Sequence, residues 1–427
     1  MSRISLLFVL LSGCSPAPKP LTPASVPASP ATAPTVPALP ISKRLDTGVK
    51  SATEFLVNRQ SPDGLWRSDV YATFKDGTAL TPLVLVALQS ANVAPDQQKS
   101  ASNALAKMVR EDGSIDEGPD GLPYPAYTAA LCVIALSHPD NGRHKKAREA
   151  WLKYLLDRQL TEQNGWTPDD KQYGGWGYYP KFPKKPEPNE IVPAQQLLES
   201  NISATRFALA ALIAARPNAY QEPNGFMGQA GSPPLLTIAG RAHVARQFVS
   251  RCGNPDGGYH FIYDDPVRNK AGSPAIPMAQ RTFYSYGSAT ADGVLATLDG
   301  FHLTAQCLTG VETIGDPTIK WLTTHFTPER HPGEYAPALE RNRNAVYFYY
   351  TAAVAQAFRK KDVKQINGRC WADSLAEALL AKQQKNGSWQ NSVELVREND
   401  PILATAYAIW ALGECRHSVS DETAPSR

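Results

Sequence analysis

Five aspartates and a small set of aromatic residues are where this chain is equipped for reaction or recognition. Asp169 and Asp170 are adjacent in Thr167-Pro168-Asp169-Asp170, and Asp264 and Asp265 are adjacent after Ile262-Tyr263. Neighbouring carboxyl groups suit general acid and base work, one holding a proton while the other accepts one. The competing reading of the second pair is a solvated turn before Pro266. Asp292 stands alone among small residues, in Thr290-Ala291-Asp292-Gly293-Val294-Leu295. Arg206 is a cation inside the apolar run SATRFALAALIAA. Such a residue either clamps an anion in a cavity or snorkels to solvent. The stretch Tyr173-Gly174-Gly175-Trp176-Gly177-Tyr178-Tyr179-Pro180 mixes glycine with aromatic rings. Trp176 and Tyr178 are therefore candidates to stack on a flat or ring-shaped ligand, or to form a flap packed over a barrel mouth. Tyr286 precedes the helix that carries Asp292 and is a further candidate ligand contact. His260 reads as a structural histidine, and Tyr347, Tyr349 and Tyr350 share one helix without sharing one face. No Cys-x-x-Cys or His-x-x-x-His spacing offers a metal set, so neither metal nor cofactor is expected.

The elements that must hold these residues repeat. A helical run, a turn of the form Gln…Gly-x-aromatic, a polar loop and a second helical run recur six times. The turns are Gln60 to Trp66, Glu111 to Asp116, Asn164-Gly165-Trp166, Pro255 to Tyr259, the degenerate Pro332-Gly333-Glu334-Tyr335, and Lys385-Asn386-Gly387-Ser388-Trp389. The third unit carries a long insertion from Thr167 to Glu199. Second helices carry small-residue stripes, such as Ala208 to Ala211 and Ala404 to Ala408. Small side chains permit close packing in an inner ring, so six helical hairpins closed into an all-α barrel are expected, with 44–416 as the folded domain and 417–427 as a disordered tail. The net charge of +3 gives no electrostatic case for nucleic acid, and a monomer is expected.

The Gln-x₃₋₅-Gly-x-Trp turn is similar to the QW motif of squalene–hopene and oxidosqualene cyclases, and six hairpins in one chain resemble the β-subunit of protein prenyltransferases. Trp66, Trp166 and Trp389 keep the motif's aromatic, with Tyr259 and Tyr335 as substitutes and Ile115 in the second unit. The resemblance implies an (α/α)₆ toroid around a central cavity, with the Gln and Trp in structural roles. It carries neither family's chemistry. The cyclases' Asp-x-Asp-Asp acid has its nearest match at Thr167 to Asp170, which lacks the first Asp. The prenyltransferases' zinc set keeps only Asp292, with Val294 and Ala404 where a Cys and a His stand.

The first fourteen residues have another purpose. Arg3, the apolar run Ile4 to Leu11 and Leu11-Ser12-Gly13-Cys14 resemble a bacterial lipoprotein signal, with the lipid attached at Cys14. Ser15 after the cysteine favours the outer membrane, periplasmic face, in the system it resembles. Residues 15–43 are rich in Pro, Ala, Ser and Thr and read as an extended spacer. Cys370 and Cys415 flank one hairpin and are the pair best placed for a disulfide in an oxidising compartment. The expected function is an envelope-anchored toroid that binds an isoprenoid, lipid or glycan ligand centrally, without demonstrable catalysis. A carbohydrate-active lyase or hydrolase on the same barrel is one alternative, and a protein-interaction scaffold is another.

Overall fold

The computed structural model describes residues 39–119, 121–216, 237–263, 268–274, 283–304 and 316–420. Cys14, Asp264 and Asp265 lie outside the described residues. The unit Pro40–Arg427 holds twelve α-helices among its described residues: α1 (Ile41–Val57), α2 (Leu80–Ser90), α3 (Pro95–Lys107), α4 (Pro125–Leu136), α5 (Lys145–Leu156), α6 (Ile202–Ala215), α7 (Ile238–Arg251), α8 (Gly287–Thr304), α9 (Pro317–His325), α10 (Tyr347–Lys360), α11 (Trp371–Leu380) and α12 (Pro401–Arg416). One two-residue antiparallel ladder, Gln365–Ile366 with Arg369–Cys370, joins α10 to α11. α1 begins directly after Pro40, so the helix takes up Ile41 to Lys43 from the expected spacer.

Odd and even helices differ as their sequences require. α1 buries Leu45, Val49, Ala52 and Leu56, a single stripe at helical spacing. α2 is buried from Leu80 through Leu88 and α12 from Ile402 through Cys415, because their small and apolar residues face neighbours on every side. Each even helix packs on the next: α2 on α4, α4 on α6, α6 on α8, α8 on α10, α10 on α12, and α12 back on α2. The odd helices form the outer layer, α1 and α11 against α12, α3 against α2, α5 against α4, and α7 and α9 against α8. The result is a closed all-α toroid.

The turns stitch each hairpin to the next. The Gln60 amide donates to the Gly64 and Gln97 carbonyls at 3.0 and 3.1 Å, the Trp66 indole to the Leu56 carbonyl at 2.7 Å, and the Trp66 backbone N–H to Thr81 Oγ1 at 3.0 Å. Gln383, Trp389 and Thr405 repeat the arrangement in the sixth hairpin, with Gly48 of α1 as the outside acceptor at 2.8 Å. Gly387 has φ +86°, and a Cβ there would lie 2.3 Å from the Ser51 carbonyl oxygen. The last turn is thus sealed onto the first helix by the contact that joins neighbours elsewhere.

In the third hairpin the motif's aromatic is Trp176, not Trp166. Gln159 donates to the Gly174 carbonyl at 2.8 Å and to the Arg241 carbonyl at 2.9 Å. The Trp176 indole donates to the Leu155 carbonyl at 2.8 Å, and its backbone N–H to Thr205 Oγ1 at 3.2 Å. Trp166 instead donates to the Pro183 carbonyl inside the insertion, at 2.9 Å. An insertion between the Gln and the Gly hides the equivalence in sequence. A second expectation also fails: Cys370 and Cys415 are free thiols. The Cys370 thiol donates to the Ser418 carbonyl at 3.2 Å, while Cys415 is buried in α12.

Candidate functional site

The ring encloses a cavity of about 310 Å³ at the N-terminal ends of the inner helices. Each inner helix reaches it from its first two turns, through Leu80 and Leu83 of α2, Tyr127 of α4, Ser203 of α6, Ser288 of α8, Tyr349 of α10, and Leu403 and Tyr407 of α12. Loops complete the wall with Phe74, Tyr124, Tyr178, Phe261, Lys270, Tyr286, Arg397 and Glu398. The volume is at the small end of small-molecule pockets, roughly 300–1,000 Å³, and the lining is mainly aromatic and aliphatic with few polar groups, as such pockets usually are.

Local chemistry fixes these side chains. The Tyr127 and Tyr407 phenols share a hydrogen bond of 2.6 Å across the ring. Tyr124 meets Tyr178 edge-on at 5.3 Å. Arg397 donates to the Tyr124 hydroxyl at 2.5 Å and lies 5.5 Å from both the Tyr71 and Phe74 rings. α10 has no capping side chain at Val346. Glu398 caps it from another element, accepting the N–H groups of Phe348 and Tyr349 at 2.9 and 2.7 Å and the Asn391 amide at 3.0 Å. Those bonds favour the carboxylate, but burial outweighs them and raises the Glu398 pKa to about 7.

Asp292 lies just behind the wall. Its carboxyl accepts hydrogen bonds from Ser203 Oγ at 2.5 Å and from the Tyr349 hydroxyl at 2.8 Å. Arg206 Nε lies 3.9 Å from it, and Arg206 Nη2 donates to Gln356 Oε1 at 2.5 Å. Burial raises the Asp292 pKa to about 6, with Arg206 as the largest opposing influence. One tyrosine therefore links both carboxyl groups: the Tyr349 backbone N–H holds Glu398 and its phenol holds Asp292. Lys270 faces the same space with its amine 4.6 Å from the Phe261 ring. Burial lowers its pKa to about 8, against the pull of Asp292 and Glu398.

Tyr178 and Tyr286 thus reach the cavity, and Asp292 supports its wall. Trp176 does not line it, because its indole is committed to the Leu155 carbonyl. Arg206 neither snorkels nor meets the cavity; it is buried and partners Asp292. Asp169 and Asp170 are also absent from the lining. Asp170 pairs with Lys185 at 2.7 Å and accepts the Thr167 N–H at 2.7 Å, which organises the insertion. Lys270, Arg397 and Glu398 escaped the sequence reading because they stand in loops without periodicity. Tyr127 and Tyr407 did carry a signal, as aromatics near the start of alanine-rich helices. Among the described residues no group of His, Cys, Asp and Glu side chains is arranged to hold a metal ion, and no helix is long and apolar enough to cross a membrane.

No family model and no curated protein matches this sequence. Solved structures match it in fold. A variant of the type II terpene cyclase MstE from Scytonema, in complex with geranylgeranyl dihydroxybenzoate, is 13% identical with a TM-score of 0.52, covering 89% of this chain and 99% of that one. A second variant of that cyclase, in complex with merosterolic acid A, is 14% identical with a TM-score of 0.53 over the same shares. An unsaturated glucuronyl hydrolase specific for heparin is 11% identical with a TM-score of 0.53, covering 88% of this chain and 98% of that one. Likeness at this level establishes the shared α/α toroid.

Proposed function

We propose that this chain is an envelope-anchored toroid, resembling the cyclases and prenyltransferase β-subunits in its QW-type turns, whose central cavity binds an isoprenoid or lipid-like molecule. The observation that carries the reading is the cavity wall: rings and aliphatic side chains from α2, α4, α10, α12 and the loops, with Ser203 and Ser288 from α6 and α8 and a polar edge of Lys270, Arg397 and Glu398. Apolar surface drives entry, at about 25 cal/mol per Å² removed from water, while a few polar groups fix orientation. The ligand carried by the Scytonema cyclase, a geranylgeranyl compound, has this character. Anchoring rests on the lipoprotein-like sequence ending at Cys14. The hollow centre removes the motive for a pure scaffold.

The test is binding of farnesol to the purified chain, followed by tyrosine and tryptophan fluorescence. Saturable binding that weakens at least roughly tenfold in Leu83→Asp, which would put a carboxylate on the apolar wall, is the expected result. Failure to bind farnesol or geranylgeraniol overturns the reading. A second reading has one observation in its favour. Glu398 lines the cavity and Asp292 stands just behind it, two buried carboxyl groups whose pKa values burial raises to about 7 and about 6, a difference that suits acid and base work on a glycan. Cleavage of an unsaturated uronyl disaccharide by the wild-type chain, lost in Glu398→Gln, would establish that reading instead.

A further inference from the structure

We propose that Lys270 captures carbonyl compounds: it forms an imine with an aldehyde or ketone bound in the central cavity, and Glu398 supplies the proton that the condensation needs. The inference rests on the ligand-binding reading and names the functional group its ligand would carry.

Lys270 is held as a built feature of the wall. Asn269 next to it accepts the N–H groups of Phe261 and Ile262 at 2.8 and 3.1 Å and donates to the Ile262 carbonyl at 2.8 Å. On the other side, the Ala271 carbonyl accepts the Ala336 N–H at 2.9 Å, and the Gly272 carbonyl accepts the Tyr284 N–H at 2.9 Å. Gly272 has φ +77°, and a Cβ there would lie 2.9 Å from Leu339 Cδ1, so the bend is fitted to its surroundings. The backbone is thus tied to three segments, and the side chain projects along the cavity beside Phe261.

No carboxylate among the described residues lies within salt-bridge distance of this amine. The amine instead lies over the Phe261 ring at 4.6 Å, a cation–π contact that favours the charged form more weakly than an ion pair would. The charges that act on it come from several elements. Asp292 on α8 and Glu398 before α12 favour its charged form, Arg268 on its own loop disfavours it, and burial outweighs them all. With a pKa near 8, roughly a tenth of these amines are neutral at pH 7, against fewer than about one in a thousand for an ordinary lysine. Only the neutral amine is a nucleophile.

The chemistry balances without an added oxidant or reductant. The amine lone pair forms a bond to the carbonyl carbon, and the π electrons move to oxygen. A proton passes from nitrogen to that oxygen, giving a carbinolamine. Glu398 then protonates the hydroxyl, the C–O bond breaks and water leaves. The nitrogen lone pair completes the C=N bond of a protonated imine, and the Glu398 carboxylate remains as its counter-ion.

The experiment incubates the whole chain with farnesal and cyanoborohydride, which reduces the imine to a stable secondary amine, and maps adducts by peptide mass spectrometry. Farnesol binding is measured in parallel. The expected result is a farnesyl adduct on Lys270, formed on the order of a hundredfold faster than at the exposed Lys385. Glu398→Gln should slow the trapping, and Lys270→Arg should abolish the adduct at that position while melting as a folded protein. If farnesol binds but farnesal marks Lys270 no faster than Lys385, the imine proposal falls and the binding reading stands. If neither compound binds, both fall.

Discussion

At Asp292 the balance between burial and partners decides the charge. Its pKa is raised to about 6 and that of Glu398 to about 7, so the folded chain holds protons that the unfolded chain releases. Stability from these groups is fully present below about pH 4 and is lost as pH rises through roughly 6 to 7, on the order of 3 kcal/mol for each. Lys270 acts in the opposite sense. Its pKa is depressed to about 8, so its contribution is missing below that and returns as pH rises from about 8 toward 10.5. Across about pH 4 to 6.5 the buried imidazoles His260 and His331, whose pKa values burial lowers, oppose the two carboxyl groups by adding stability as pH rises, so the carboxyl contribution is read from a variant. Asp292→Asn keeps neighbours for Ser203 and Tyr349 but removes one titration, so its melting curve should decline less steeply from about pH 4.5 to 7. Equal slopes for the two proteins would show that Asp292 does not hold its proton. Arg206→Met should cost about 3–5 kcal/mol, because it leaves Asp292 buried without its cation. Urea denaturation measures that loss. Asp292 was visible in the sequence as a lone acid among small residues. Its partners Ser203 and Tyr349 were not, since they come from helices separated from it by long stretches of chain.

The turn is the element that repeats, and its energetics can be read from one glycine. Gly387 combines a left-handed backbone with a carbonyl where a side chain would begin. Gly387→Ala should therefore destabilise by at least about 2–3 kcal/mol, the strain of the conformation plus the clash. Thr405→Val leaves the buried Trp389 N–H without an acceptor and should cost about 1–3 kcal/mol. The third hairpin offers a sharper comparison. Gly174 has a carbonyl 2.2 Å from its would-be Cβ, whereas Gly165 meets only Lys185 Cβ at 3.5 Å. Gly174→Ala should then lower the melting temperature well beyond Gly165→Ala; the reverse order would restore Trp166 as the motif's aromatic. The periodic helices and their small-residue faces were legible because burial imposes a period on sequence. Which tryptophan closes the third turn was not, because a hydrogen bond from Gln159 to Gly174 is indifferent to how much chain loops out between them. Loops carry no period at all, which is why Lys270 and Glu398 came into view only with the coordinates.

For the whole molecule, the ring is what turns separate hairpins into one hollow. Six inner helices meet, and each presents its N-terminal end to the cavity, where helix dipoles favour negative charge. That shared field gives a polar ligand end a preferred pole. The proposed lipid attachment is tested at this scale too: Cys14→Ser should move the chain from the membrane fraction to the soluble one, and an unchanged distribution between the fractions would refute it. Between α12 and α1, Gln383 and Gly387 repeat the bonds used at every intact turn, and Arg416 pairs with Asp46 at 2.8 Å. The seam therefore carries the same kind of contact as the junctions after the first and third hairpins, without a peptide bond across it. A circular permutant that joins residue 416 to residue 41 by a short flexible tether, with new ends cut between α2 and α3, should fold to the same annulus, because the ring closes through side chains and not through the order of its hairpins.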